Sequence, residues 1–94
     1  MVDAENILKT LPGSSAAPLQ KGLVDTILKS KNAQSLPADV AKRLLTLYHD
    51  NQLGSTEGLV TLLQASVLIE QEKTAEMLQE LGLTDAAAKV RSGQ

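Results

Sequence analysis

Cysteine, phenylalanine and tryptophan are absent from this chain, and tyrosine and histidine occur once each, as Tyr48 and His49. Without cysteine there is no disulfide framework, no thiolate metal site and no cysteine nucleophile, a usage that fits a reducing compartment. A zinc site built on the lone histidine would need three carboxylates beside it, a poor donor set for that metal. Without Phe and Trp there is no aromatic platform for stacking on bases or sugars. The core has to be assembled from Leu, Val, Ile and Ala.

Glycine is spread singly over six positions, which excludes a Gly-rich phosphate loop, and no Gly-x-Ser-x-Gly elbow is present. Tyr48, His49 and Asp50 are consecutive, and consecutive residues on a helix do not face one another, so they form no relay. Glu72, Glu76 and Glu80 repeat at helical spacing, but a di-iron bundle site also needs Glu-x-x-His pairs, and there are none. The glutamates read as a solvated face. The chain is therefore expected to be non-enzymatic, with no cofactor and no metal.

Neither sign of charge dominates. The formal net charge is −2 and the isoelectric point is near 5.2, and the nine basic residues look scattered, which argues against non-specific nucleic-acid binding. No run approaches the roughly 20 apolar residues of a membrane span; Gln64 and Ser66 interrupt the richest stretch. The opening MVDAEN has neither a basic n-region nor an apolar h-region, so no secretory signal is read and a cytoplasmic location is expected.

What the sequence does contain is helical periodicity, and 94 residues support a single domain, 1–94. A short first helix is expected over 4–11, with Asp3 as its cap and Pro12-Gly13 as its stop. The second runs from Ser15 or Ala17 to about residue 30, with Pro18 in its first turn and Leu19, Leu23, Val24, Ile27 and Leu28 on one face. The third opens after Ser35 as cap and Pro37. Val40, Ala41, Leu44, Leu45, Leu47 and Tyr48 form its apolar side, and 51–54 end it. Ser55 caps a fourth helix over 56–81, stopped by Gly82 in a Schellman turn with Leu83 folded back on Leu78. Thr84 or Asp85 caps a short fifth over 86–91.

The fold class is thus all-α: four main helices plus a short C-terminal one, with the long helix 56–81 at the centre. Its first half is apolar in nearly every direction and should be surrounded. At 1.5 Å per residue a straight helix of that length reaches roughly 39 Å, whereas a compact chain of this size is roughly 32 Å across. Either the helix bends near 70–73 or its second half stands clear of the bundle.

In the second case a stripe of Ala75, Leu78, Leu81 and Leu83, joined by Val90, would project and require a partner: a second copy, giving a homodimer, or a partner helix. The alternative is that these residues close the core beneath the first and last helices. The leading expectation is a protein–protein interaction module that self-associates through this stripe. A second reading is nucleic-acid binding through Lys29, Lys31, Lys42 and Arg43. A helix-turn-helix is not supported, because the helix opening Thr56-Glu57-Gly58-Leu59-Val60 offers no base-reading side chain before Gln64. A lipid pocket inside the aliphatic bundle lacks convergent polar groups.

Overall fold

The computed structural model describes residues 4–11, 13 and 16–93. Among them the chain is all-α, with helices α1 (Ala4–Lys9), α2 (Ala16–Lys29), α3 (Ala38–His49), α4 (Thr56–Ile69), α5 (Gln71–Glu80) and α6 (Thr84–Ser92), and a 3-10 turn over Ala33–Ser35 before α3. Asp3, Pro12 and Ser15, expected as cap, stop and helix start, lie outside the described residues.

α4 is the hub. Leu62, Leu63 and Ala65 are buried, and Leu59 and Ile69 nearly so; α1, α2, α3 and α5 all pack on this helix, and α6 packs on α5 and α1. The core cluster joins Ala4 and Ile7 of α1, Leu19 and Leu23 of α2, Leu62 and Leu63 of α4, and Ala75, Leu78, Leu83, Ala86, Ala87 and Val90 of the C-terminal pair. Four hydroxyls are buried with it. Thr26, Thr61 and Thr74 each donate to the carbonyl four residues back, and Ser66 donates to the Leu23 carbonyl, so the interior holds no orphaned hydroxyl among the described residues.

The helix expected over 56–81 is two helices. Glu70 leaves helical geometry, with φ −146° and ψ 69°. No proline or glycine stands there; the interruption comes from a side chain entering the backbone ladder. Asn32 Nδ2 donates to the Ile69 carbonyl at 3.2 Å, and Ser30 Oγ donates to Glu70 Oε1 at 3.3 Å. The loop after α2 thus takes up the carbonyl that a continuing helix would have bonded to the amide four residues on. The break folds the chain into extents of 31 × 25 × 21 Å with a radius of gyration of 11.9 Å, so the bend is realised and no half-helix stands clear.

Two helix ends are closed by the same device. After α5, Gly82 is left-handed (φ 82°), its amide donates to the Gln79 carbonyl, and Leu83 N donates to the Leu78 carbonyl at 2.9 Å, the expected Schellman pattern. After α3, Asn51 is the left-handed residue (φ 57°) and Gln52 N donates to the Leu47 carbonyl at 2.8 Å. Ser55 caps α4 as expected, accepting from Gly58 N at 3.1 Å. Ser35 and Thr84 do not cap. Ser35 ends the 3-10 turn, leaving Pro37 as the residue before α3, and Thr84 is already helical, with Leu83 preceding it and no side-chain cap.

Gly58 is buried where the first turn of α4 passes against the preceding loop, and a Cβ there would collide with the Leu53 and Gln52 carbonyl oxygens. Those atoms are backbone and cannot swing aside. Helix propensity alone favours Gly58→Ala by about 1 kcal/mol; the collision reverses the sign. Thermal unfolding followed by circular dichroism is expected to show a net loss of about 1–3 kcal/mol, which for a chain this size lowers Tm by roughly 4–8 °C per kcal/mol.

Candidate functional site

The stripe that sequence periodicity assigned to a partner is placed in the core. Ala75, Leu78 and Val90 are fully buried and Leu83 is 7 % exposed; Leu81 is half-buried and packs against the same cluster. The reason lies in the turn. The Gly82 Schellman closure sends α6 back along α5, and two one-sided helices so joined cover each other's apolar stripes. Gln71 Nε2 donates to the Val90 carbonyl at 2.6 Å, and Arg91 bonds Glu72 Oε1 (3.3 Å) and Gln79 Oε1 (2.9 Å) across the outside of the pair. As an exposed seam this assignment is corrected; these residues hold the C-terminal helices together.

The four cations of the nucleic-acid reading are all exposed but are not brought to one surface. Lys29 ends α2 and Lys31 lies in the next turn. Lys42 and Arg43 are adjacent on α3 and so point about 100° apart. Arg43 lines a recess of about 550 Å3 with Glu5, Lys9, Thr56, Glu57 and Thr61. That recess is larger than the groove described below, but its two acids and two bases offset one another. His49, the last residue of α3, is exposed and meets Tyr48 edge-on with ring centroids 6.2 Å apart. Among the described residues no cluster of His, Asp and Glu is placed to hold a metal.

The exposed apolar surface lies elsewhere. Leu28 is 76 % exposed, Tyr48 69 % and Leu45 61 %. These three, with Val24, Ile27 and Leu44, form the walls of a groove of about 490 Å3 between α2 and α3, and Leu53 and Leu62 form its floor. α2 and α3 both pack on α4 but scarcely on one another. The groove is therefore an unfilled position beside α4, where a bundle would seat another helix. It bears almost no polar lining, and the only aromatic side chain of the protein stands on its rim.

Leu28, Leu45 and Tyr48 belong to the apolar faces that periodicity assigns to their helices, yet they are exposed. A signal of that exposure was present in the sequence. At 100° per residue the apolar arc of α2, from Leu19 to Leu28, is about 180° wide and that of α3 about 160°. One neighbour covers an arc of about 100°, so each helix carries more apolar surface than α4 alone can bury. Comparison of the chain with protein-family models, with curated proteins and with solved structures gives no match.

The two sets of leucines separate cleanly in stability. Leu78→Ala, in the core, is expected to remove about 2–5 kcal/mol. Leu28→Ala, on the groove wall, should change stability by no more than about 0.5 kcal/mol. Urea unfolding of both variants checks this assignment, and an equal, small effect for the two would return Leu78 to the surface.

Proposed function

We propose that this protein is a non-enzymatic protein–protein interaction module that receives an apolar helix from another protein in the α2–α3 groove. The observation that carries the reading is the groove itself: two helices held apart on α4, with two leucines and the only tyrosine turned to solvent along the gap. Isolated exposed leucines are ordinary on a protein surface; a contiguous, concave apolar patch with an aromatic rim is the usual form of a helix-binding site. No helix among the described residues is long and apolar enough to cross a membrane.

Nucleic-acid binding through Lys29, Lys31, Lys42 and Arg43 is less well supported, because Arg43 lines a recess together with Glu5 and Glu57 and stands about 100° round α3 from Lys42. Titration of labelled mixed oligonucleotides at about 50 mM salt, where such binding is strongest, is expected to give no saturable anisotropy change.

The direct test uses an uncharged helical probe of about 18 residues, long enough to hold a helix, with leucines at i and i+4 and Ala and Gln elsewhere. Added to 15N-labelled protein, it is expected to shift the amide resonances of Leu28, Leu45 and Tyr48 and to leave those of α6 unmoved. Leu45→Glu should abolish the shifts without altering the circular dichroism. A probe that moves no α2 or α3 resonance up to about 1 mM, a Kd limit equivalent to roughly 4 kcal/mol, would sink the reading. Light scattering across a range of concentrations is expected to give a monomer.

A further inference from the structure

The charge around the groove differs from the charge of the rest of the chain. Residues 16–49, which make up α2, α3 and their connection, carry five cations (Lys21, Lys29, Lys31, Lys42, Arg43) against two anions (Asp25, Asp39), a formal +3 in a protein whose total is −2. Five of the nine basic residues but only two of the eleven acids lie in these two helices and their connection.

Register places part of that charge on the rim. Lys21 stands three residues before Val24 and seven before Leu28, on the same side of α2. Lys42 stands three residues before Leu45 and seven before His49, on the same side of α3. All four of Lys21, Lys42, Leu28 and Leu45 are exposed. Asp25 shares that side of α2, and Asp39, three residues before Lys42, shares that lysine's side of α3 about 120° from Leu45. A helix lying in the groove would thus lie between two helices that, with their connection, carry a net +3.

The groove's length sets the spacing of what it takes. Val24 to Leu28 and Leu44 to Tyr48 each advance four residues, about 6 Å along the axis. That admits two apolar anchors one turn apart, at i and i+4.

We propose that the occupant is an amphipathic helix of a different protein, with two apolar anchors one turn apart and acidic residues on its flanks. This rests on the groove being a docking site and adds the charge and the heterotypic nature of its partner. A second copy of this chain fits less well. A two-fold contact would set the Lys21 and Lys42 rim against an identical rim, where like charges oppose association. A head-to-tail contact that offered the exposed acids of α5, Glu72, Glu76 and Glu80, would bring no exposed large apolar side chain of that helix into the groove.

The test compares the uncharged probe with two labelled versions of it, one bearing Glu at the flanking positions and one bearing Lys, by fluorescence anisotropy on the full chain. The Glu version is expected to bind about tenfold more tightly than the Lys version at low salt, with the uncharged probe between them. The difference should shrink several-fold at about 500 mM salt, as screening shortens. The double variant K21E/K42E should invert the order while leaving the uncharged probe's affinity within about twofold, since no groove-wall side chain is altered.

Equal binding of all three probes to the wild type would overturn the acidic partner and leave the groove as a docking site. Absence of binding by any probe, or binding unaffected by Leu45→Glu, would overturn both. A dimer in light scattering that Leu45→Glu dissociates and that the probes compete away would give the groove to a second copy. Displacement of the Glu probe by a mixed oligonucleotide at low salt would assign the cations to nucleic acid. Either of these last two results overturns the proposal.

Discussion

A helix that is apolar on nearly every side must be enclosed, and α4 is that helix. Leu59, Leu62, Leu63, Ala65 and Ile69 point in directions that no single neighbour can cover, so α1, α2, α3 and α5 are each held against it. The core is aliphatic throughout, and small side chains bring the axes close. Ala65, Ala75, Ala86 and Ala87 are almost fully buried, and Gly22 of α2 lies against the side chain of Met77 on α5. The four hydroxyls inside are satisfied largely by their own helices, so burial of leucine, valine and isoleucine carries the fold at the usual rate of about 25 cal/mol per Å2.

Enclosure requires the chain to turn back. It does so at Glu70, where Asn32 of the loop after α2 bonds the freed Ile69 carbonyl and Ser30 bonds the Glu70 carboxylate, and again at Gly82, where a left-handed residue reverses α5 into α6. With both turns made, the second half of the predicted long helix becomes one wall of a closed helical pair. Its stripe has no remaining surface to offer. The apolar surplus is left at the other side of α4, where α2 and α3 do not meet, and where Leu28, Leu45 and Tyr48 stay in contact with water.

Much of this was legible in the residues. The positions of the first three helices, the Ser55 cap, the Schellman turn at Gly82 and the central, enclosed character of 59–69 follow from spacing and local chemistry, whereas the break at Glu70 divides what spacing reads as one helix over 56–81. The left-handed Asn51 and the tight backbone contact at Gly58 were not, since both depend on how the loop after α3 returns to α4. The candidate site was legible only as a surplus: arcs of about 180° and 160° are wider than one neighbour fills, yet nothing in either arc says which end of it is left over.

Local periodicity decided that the chain is all-α, that Ser55 opens α4 and Gly82 closes α5, and that α4 is buried, because each of these is fixed by residues within a few turns of one another. Tertiary packing decided which apolar stripe is interior and which is surface. That choice depends on contacts between residues far apart in sequence: Asn32 reaching Ile69, Ser66 reaching Leu23, and α6 folding over α5. A stripe on a helix states only that something must cover it. Whether it is covered by another part of the same chain, as for Leu78 and Val90, or stays in contact with water, as for Leu28 and Leu45, is settled by the path of the backbone.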